Sequence, residues 1–314
     1  MDIVKAIIIA IIEGLTEFLP VSSTAHMGFT AALMGMEETE FLKMFQVSIQ
    51  FGAILAVVFA YWKKFLDFNN LKFYFKLAYA VIPALVLGYL FDDHIEAVLG
   101  NQIAISAVLI AGGVVLLFSD SWFKNPTIAD EKDMPVKKAV IIGFWQCLAM
   151  MPGTSRSAAS IIGGMTQGLT RKAAAEFSFF LAVPTMLAVT VYSIFVKTWG
   201  KETGHPAKGY EMILSSSDNI IAFVIGNVVA FIVALIAIKG FIGLLNKYGF
   251  KPWGWYRIII GVVLLIYFPG FGRYTFVFWA GISALRSRFF CATSFCKKEL
   301  HSGRAAGTHF FPLF

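Results

Sequence analysis

Apolar residues fall into six long runs that are separated by short polar segments. The runs cover residues 44–62, 73–91, 103–118, 174–196, 220–238 and 258–279. A helix needs about 20 residues to cross a bilayer, and each run approaches or reaches this length. The pattern therefore predicts six transmembrane helices.

Two other apolar regions, residues 3–36 and 136–169, are interrupted near their midpoints. The interruptions are PVSST at residues 20–24 and PGTSRS at residues 152–157. Neither side of an interruption is long enough to cross the bilayer. Irregular backbone is tolerated at membrane depth only where protein or a wet cavity surrounds it. We therefore expect two re-entrant helical hairpins that meet inside the helix bundle.

The two interruptions are similar to each other. Pro20 aligns with Pro152 and Ser23 with Ser155, which indicates a weak internal repeat with halves at about residues 1–118 and 136–268. The predicted fold is an all-α integral membrane protein. It has six transmembrane helices plus two re-entrant helical hairpins, arranged as an inverted repeat.

The composition agrees with this fold and excludes a soluble globular protein. Apolar residues make up 58% of the 314 residues, charged residues only 14%, and the mean hydropathy is +0.74. A soluble chain carries roughly 25% charged residues. The net charge of +7 comes from basic residues scattered between the apolar runs and near the C-terminus. We therefore expect a membrane bilayer, and no nucleic acid, as the partner.

The loops carry an orientation signal. If the first hairpin enters from outside, the inner loops hold most of the basic residues, among them Lys64, Lys124 and Arg257, while one outer loop contains Asp92 and Asp93. Inner loops of membrane proteins are rich in Lys and Arg, so this orientation is predicted. The second hairpin then enters from the inside, and the site between the hairpins opens toward the outer face.

The ends of the chain are expected to add no further folded domain. The first apolar stretch continues into Glu13 and Pro20 instead of a small-residue cleavage site, so no cleavable signal peptide is predicted. We expect a single polytopic domain over residues 1–285. Residues 286–314 form an atypical basic tail whose Cys and His spacing matches no zinc pattern. We interpret this tail as a non-native or disordered extension.

Glu13 and Glu17 are four residues apart, so on a helix they project from one face with Cβ atoms about 6 Å apart. Two carboxylates this close in a low dielectric cannot both stay charged unless a cation bridges them or one holds a proton. The pair indicates a Mg²⁺ or Ca²⁺ site, or a general acid or base. The alternative is an interfacial pair that faces water.

Ser22, Ser23 and Thr24 follow Pro20 and precede the second half-helix, where they serve as helix N-caps or as phosphate ligands. His26 lies three residues beyond Ser23 on the same helical face. A serine with a base within reach is the minimum for nucleophilic attack, while a histidine can itself be phosphorylated. The nucleophile is therefore Ser23 or His26. A buried, hydrogen-bonded histidine is the structural alternative.

Arg156 lies at the predicted membrane depth in the second interruption, where an uncompensated arginine costs at least ~3 kcal/mol. Its planar guanidinium can bind two phosphate oxygens at once. Further substrate-binding donors lie beside it in the same interruption: Gly153, Thr154, Ser155 and Ser157. The alternative is a structural ion pair with Glu13, Glu17 or Glu176, although a buried ion pair alone stabilises a fold poorly.

Two segments carry a resemblance to a known family. EGLTEFLPVSSTAH at residues 13–26 and PGTSRSAAS at residues 152–160 resemble the two signature motifs of the undecaprenyl-diphosphate phosphatases, also called bacitracin resistance proteins. The similarity extends over roughly residues 1–268. Ala25 and Ala158 stand where the family commonly has Gly, and Ser160 replaces a usual Thr while keeping the hydroxyl.

The resemblance implies a bacterial inner-membrane enzyme that hydrolyses a C55 isoprenoid diphosphate to its monophosphate and inorganic phosphate. The released carrier lipid returns to cell-wall synthesis. The implied functional residues are Glu13, Glu17, Ser22, Ser23, Thr24, His26, Ser155 and Arg156, with Ser23 the expected nucleophile. The expected substrate is a polyprenyl diphosphate lipid, and the expected cofactor is Mg²⁺ or Ca²⁺ held by the two glutamates. The outer face is then periplasmic, and a homodimer is an open question.

Two competing classes use similar residues. A secondary transporter or polyprenyl-phosphate flippase would use the same anion site, because inverted repeats with broken helices are typical of transporters. The other large class of membrane lipid phosphatases has a histidine six residues after the arginine of its Ser-Arg pair, and Ile162 occupies that position here. The second class is therefore excluded, and the first stays open.

Overall fold

The protein is described by a computed structural model that covers residues 1–67, 71–91, 101–200 and 204–268. The helices before residue 123 are α1 Ile3–Thr16, α2 Ser23–Leu33, α3 Glu40–Ser48, α4 Gln50–Ala60, α5 Trp62–Phe65, α6 Leu71–Leu90 and α7 Gln102–Trp122. Those after it are α8 Val136–Gln146, α9 Arg156–Thr166, α10 Arg171–Val191, α11 Gly209–Leu214, α12 Ser217–Tyr248 and α13 Lys251–Tyr267. Strands β1 Thr198–Trp199 and β2 Ala207–Lys208 form one short antiparallel pair.

Within the described ranges, five stretches are long and apolar enough to cross a membrane. They are Glu40–Ala60, Leu71–Leu90, Gln102–Trp122, Arg171–Val196 and Ser217–Tyr248. These stretches match the first five predicted spans. The sixth predicted run coincides in part with α13, which has 17 residues, and residues 269–279 of that run lie outside the described residues. The chain is therefore a helical, multi-pass membrane protein.

Polar side chains begin several of the helices. Asp2 accepts a hydrogen bond from the Lys5 amide at the start of α1, and Thr170 accepts one from the Ala173 amide at the start of α10. Such caps satisfy backbone donors that have no partner inside the helix. At the other end of α12, Gly249 adopts a φ of 66° and a ψ of −151°, a conformation that glycine can take because it has no Cβ atom.

Both interrupted regions form two short helices with a break between them. The first break, residues 17–22, separates α1 from α2. In the second region a 3₁₀ turn, Cys147–Met150, precedes the second break at residues 151–155, and α9 follows. The prediction of four short half-helices around two polar breaks is confirmed.

The two breaks end with the same backbone conformation. Among the described residues, Ser22 and Ser155 are the non-glycine residues with positive φ, and both have a φ of 72°. Each is the N-cap of an 11-residue helix. Ser22 is therefore the counterpart of Ser155, and Ser23 is the counterpart of Arg156. The alignment of Ser23 with Ser155 is wrong by one residue, because the second break has one more residue between its proline and its cap.

The helices that flank the breaks pack against long spans. Helix α1 packs against α12, α8 packs against α6, and α4 lies against both α10 and α12. Helices α7 and α13 approach closely, because a Cβ atom on Gly113 would lie 2.8 Å from the carbonyl oxygen of Gly254, and one on Gly254 would lie 2.8 Å from that of Gly113. Small residues of this kind allow close backbone approach between membrane helices.

One basic residue lies elsewhere than predicted. The sequence places Arg257 in an inner loop, but the structure has it within α13, six residues after the helix begins, with none of its surface exposed. This prediction is wrong because a basic residue beside a loop and one inside a helix look alike in sequence. The partners that allow its burial are backbone carbonyl oxygens. Every residue has one, so the sequence does not indicate these partners.

Candidate active site

Ser23 and Glu17 are joined by a short hydrogen bond across the end of the first break. Ser23 is the first residue of α2, and Glu17 directly follows α1. The Ser23 Oγ donates to Glu17 Oε2 over 2.6 Å. Both side chains are buried, with 6% and 7% of their surface exposed. A hydroxyl and a carboxylate in this arrangement have the contact that a nucleophile and its general base require.

Arg156 reaches the other oxygen of the same carboxylate. Its Nε and Nη2 atoms donate to Glu17 Oε1 over 3.3 and 3.2 Å, and its Nη1 donates to the carbonyl of Ser178 over 3.0 Å. Its Cζ lies 6.0 Å from the ring centroid of Phe18. Of the three glutamates that the sequence offers as ion-pair partners, Glu17 is the one that Arg156 contacts. Glu17 therefore connects the first residue of α2 with the first residue of α9.

Glu13 lies one helical turn before Glu17 and is fully buried. Neither of its carboxylate oxygens accepts a hydrogen bond from the described residues. With both glutamates ionised, Glu13, Glu17 and Arg156 together carry one uncompensated negative charge. A buried cluster with this charge needs a proton or a cation.

The two glutamates also fit the divalent cation predicted from the sequence. Carboxylate oxygens are the ligands that Mg²⁺ and Ca²⁺ prefer, and the oxygens of Glu13 are unused by the described protein. The described residues contain no group of three or more His, Cys, Asp and Glu side chains that could hold a metal. Any further ligands would therefore be neutral oxygens of the protein, of water or of a substrate phosphate, and Mg²⁺ usually keeps several waters.

His26 makes its hydrogen bonds to the N-cap of its own helix and to a tyrosine of α13. Its Nδ1 lies 2.8 Å from the carbonyl oxygen of Ser22, so this nitrogen carries the proton in the neutral ring. Its Nε2 then accepts from the hydroxyl of Tyr256 over 2.8 Å, and the two rings stack with centroids 5.6 Å apart. The Ser23 hydroxyl donates to Glu17 and not to His26. Nothing in the sequence marks Tyr256 as the partner of His26.

Two serines of the second motif bind the backbone of the first break. Ser157 Oγ donates to the carbonyl of Leu19 over 2.7 Å, and Ser155 Oγ donates to the same carbonyl over 3.4 Å. Ser155 also caps α9 by accepting from the Ala158 amide over 3.3 Å. The two breaks are therefore in direct contact, and both hydroxyls predicted to bind phosphate are already engaged with protein.

The other predicted substrate-binding residues line the two breaks. Ser22 makes no side-chain capping bond, so the first amides of α2 have no side-chain acceptor from their N-cap residue. Thr24 is partly exposed. Gly153 has a φ of 92°, and a Cβ atom there would lie 2.6 Å from the Ile105 carbonyl oxygen. The carbonyls of Gly153 and Thr154 accept hydrogen bonds from a buried arginine described below.

Arg257 binds both breaks from the side of α13. Its guanidinium donates to the carbonyl of Pro20 in the first break over 3.1 Å. It donates to the carbonyls of Gly153 and Thr154 in the second break over 2.8 and 2.9 Å. Sequence reasoning missed this residue, since its contacts are all with main-chain atoms.

The fold and the site together define a polytopic membrane protein in which a buried serine, carboxylates and an arginine meet between two broken helices. The sequence profile of the family described as Bacitracin resistance protein BacA matches residues 6–263. This chain belongs to the bacitracin resistance protein family.

Similar proteins carry a common name. An undecaprenyl-diphosphatase of Flavobacterium johnsoniae is 50% identical over 267 residues, which cover 85% of this chain and 96% of the relative. Proteins with the same name from Porphyromonas gingivalis and Bdellovibrio bacteriovorus are 46% and 44% identical over 283 and 268 residues. These matches also cover 85% of this chain and 96% of each relative.

Proposed function

We propose that this protein is an undecaprenyl-diphosphatase, which hydrolyses undecaprenyl diphosphate to undecaprenyl phosphate and inorganic phosphate. The reaction returns the carrier lipid to cell-wall synthesis and gives resistance to bacitracin. The observation that carries the proposal is the carboxylate of Glu17, with Ser23 on one oxygen and Arg156 on the other. Family membership and the names of the relatives support the same activity.

The first chemical step is a transfer of the terminal phosphoryl group to Ser23. The Oγ atom attacks the terminal phosphorus while its proton passes to Glu17 Oε2, the atom that already accepts its hydrogen bond. A bond forms between Oγ and phosphorus, and the bond from phosphorus to the bridging oxygen breaks. Glu17 then gives the proton to the departing undecaprenyl phosphate.

The second step restores the serine. Water attacks the phosphoserine, Glu17 accepts a proton from the water, and the bond between phosphorus and Oγ breaks. Glu17 returns a proton to Oγ as inorganic phosphate leaves. The net reaction consumes one water molecule, and both catalytic side chains end as they began.

Arg156 serves two purposes in this proposal. Its guanidinium places a positive charge beside the carboxylate of Glu17, the proposed general base. A guanidinium has five N–H groups. Three of those of Arg156 donate hydrogen bonds, two to Glu17 and one to the Ser178 carbonyl. The remaining N–H groups are available to phosphate oxygens, where positioning and charge neutralisation matter most for phosphoryl transfer.

Glu13 and Glu17 are the proposed holders of Mg²⁺ or Ca²⁺. The support is the pair of Glu13 oxygens that accept no hydrogen bond from the described residues. When bound, the cation would neutralise negative charge on the diphosphate. The Glu13 carboxylate would then have an opposite charge beside it in the bundle.

Ser23 is the proposed nucleophile, and His26 is a supporting residue. The Ser23 hydroxyl faces a carboxylate base, whereas both ring nitrogens of His26 are engaged by Ser22 and Tyr256. A histidine nucleophile would have to break one of these contacts before it could attack. The uncapped amides at the start of α2 are suited to binding the phosphate that Ser23 attacks.

The proposed fold is an inverted repeat with two re-entrant hairpins. In this repeat α1, α4 and α6 of the first half correspond to α8, α10 and α12 of the second. The contacts support it, because the packing of α1 against α12 corresponds to that of α8 against α6, and the packing of α4 against α12 corresponds to that of α10 against α6. Helices α7 and α13 contact each other reciprocally through Gly113 and Gly254. A pseudo-two-fold axis between these helices accounts for all of these pairs.

We propose that the site opens to the periplasmic face of the inner membrane. The predicted inner loops contact one another, since Lys64 binds Glu131 and Lys138 binds the Gln167 carbonyl. In a chain without its three native cysteines, we expect Glu38→Cys to react with an impermeant thiol reagent in intact cells. Lys63→Cys, also exposed, should stay unlabelled. The reverse labelling pattern would contradict the orientation.

The activity is tested with protein purified in detergent. Incubation with undecaprenyl diphosphate and Mg²⁺ or Ca²⁺ should release inorganic phosphate. Detergent removes the closed membrane, so turnover there is chemistry and not transport. If no phosphate is released, while the lipid crosses the bilayer of protein-containing liposomes, the transporter or flippase alternative replaces the proposal.

A further inference from the structure

Arg257 has an unusually complete set of contacts for a buried cation. It is fully buried in α13, and each of its five N–H groups can be assigned to a carbonyl oxygen. The acceptors are the carbonyl oxygens of Leu109 at 3.2 Å, Pro20 at 3.1 Å, Thr154 at 2.9 Å, Val108 at 3.4 Å and Gly153 at 2.8 Å. One side chain thus joins α7, α13 and both breaks.

An ion pair does not explain why a charged residue is buried at position 257. Among the described residues, the ion pairs are those of Lys43, Lys64, Arg156 and Arg171, and Arg257 is in none of them. A buried charge without an opposite charge is costly, even when its hydrogen bonds are satisfied. Apolar packing would hold α13 against α7 at less cost, so helix packing alone does not explain an arginine here.

The carbonyls that bind Arg257 lie next to the reactive residues. Pro20 is three residues before Ser23, and Thr154 is two residues before Arg156. Since the peptide unit is planar and rigid, holding these carbonyls also fixes the direction in which the chain continues into α2 and α9. Arg257 therefore sets the position of the nucleophile on one break relative to the arginine on the other.

Helix α7 has a glycine where the guanidinium passes. A Cβ atom on Gly112 would lie 2.8 Å from Cζ of Arg257 and closer still to Nη2. Contact at this distance cannot be accommodated without moving the guanidinium or α7. Gly112 therefore offers a way to displace the guanidinium while the positive charge stays in the protein.

We propose that Arg257 is a positioning residue for phosphoryl transfer, which holds the two breaks at the separation where Ser23, Glu17 and Arg156 meet. This inference rests on the proposed diphosphatase activity. Arg257 does not touch the reacting atoms, and its contribution passes through the backbone of Pro20 and Thr154.

The first test compares three substitutions by steady-state kinetics. Displacement of a reacting group by about 1 Å costs about 100-fold in rate, so Arg257→Gln and Gly112→Ala should each lower kcat by about that factor. The KM for the lipid should change much less, because the groups that bind the isoprenoid chain are untouched. Gly240→Ala is the matched control, since no atom lies within 4 Å of a Cβ atom placed on this exposed glycine. Its kcat should equal that of the wild type.

Arg257→Gln can fail to fold, and Gly112→Ala then carries the test. Normal kcat in folded Gly112→Ala, with a melting temperature like that of the control, would overturn the proposal. A double-mutant cycle separates positioning from general destabilisation. Because Gly112→Ala acts through the separation between Ser23 and Arg156, its effect should largely disappear in an Arg156→Ala background. If the loss of kcat in the double variant equals the product of the two single losses, the two residues act independently, and this result would also overturn the proposal.

A distance measurement tests the same inference without enzyme activity. Spin labels on cysteines at Thr24 and Thr154, in a chain without native cysteines, report the separation of α2 from the second break. We expect a narrow distance distribution with the native Gly112, and a shifted or broadened one with Gly112→Ala. Unchanged distributions would contradict the positioning role. Failure of the wild type to release phosphate would instead contradict the diphosphatase activity.

Discussion

The two breaks use one backbone design for two chemical tasks. Each ends in a serine with a φ of 72° that precedes an 11-residue helix. After the first break the next residue is Ser23, a hydroxyl bound to a carboxylate, and after the second it is Arg156, a cation bound to the same carboxylate. The repeated conformation therefore delivers a proposed nucleophile from one side and a proposed phosphate ligand from the other.

The caps of the two helices also differ. Ser155 accepts a hydrogen bond from an amide of its own helix, whereas Ser22 makes no such bond. The second break is closed further by the two serine contacts to Leu19. In the proposed mechanism the start of α2 keeps its backbone donors for the substrate phosphate, while the second break uses side chains to secure its contact with the first.

The largest expected effect is at the hydroxyl. Ser23→Ala removes the proposed nucleophile, so phosphate release should fall by at least about 10³-fold. Ser121→Ala, at an exposed serine of α7, is the control and should keep full activity. Wild-type protein quenched in acid during turnover of substrate labelled on the terminal phosphate should carry label on Ser23. Label that survives on His26 after an alkaline quench, but is absent after the acid quench, would instead assign the nucleophile to the histidine.

Metal removal tests the carboxylate side of the first break. Chelation should abolish phosphate release, and added Mg²⁺ or Ca²⁺ should restore it. Because Glu13 is the proposed ligand with unused oxygens, Glu13→Gln should raise the metal concentration needed for half-maximal activity by at least about tenfold. Glu211→Gln, an exposed substitution in α11, should leave that concentration unchanged. Undiminished turnover in chelator would mean that Glu13 holds a proton and not a metal.

The second break is tested at its cation. Arg156→Lys keeps the charge but loses the planar, two-pronged contact, and we expect kcat/KM to fall by about 10²-fold. The matched control is Arg171→Lys, since Arg171 binds Asp120 at the surface, with 41% of its side chain exposed. That variant should behave as the wild type in the phosphate assay. Equal activity of the two variants would remove the phosphate-binding role from Arg156.

The sequence alone predicted much of this arrangement. The apolar runs predicted five described spans, and the polar interruptions predicted both breaks, because lipid allows few ways to pair backbone groups. Glu13, Glu17, Ser23 and Arg156 stood out because polar and charged residues are rare at membrane depth. Their roles stay proposals.

Two features of the site could not be predicted from the sequence. Arg257 binds carbonyl oxygens, which every residue possesses, so no partner residue marks it. Tyr256 meets His26 across 230 positions of sequence, and a tyrosine in a membrane helix is ordinary. Contacts of this kind depend on how distant helices pack, which a pattern along one chain does not specify.

The smallest expected effect separates the two caps themselves. Ser22→Ala and Ser155→Ala meet the same positive φ, so the backbone strain that alanine introduces is similar in both and cancels in the comparison. Ser155→Ala loses a capping bond, which is worth about 1 kcal/mol, and also the longer contact with the Leu19 carbonyl. Ser155→Ala should therefore lower the unfolding free energy by at least about 1 kcal/mol more than Ser22→Ala, as measured by denaturation in detergent. Equal losses would mean that the Ser155 cap adds nothing, and that the two breaks differ in their chemistry but not in how their helices are secured.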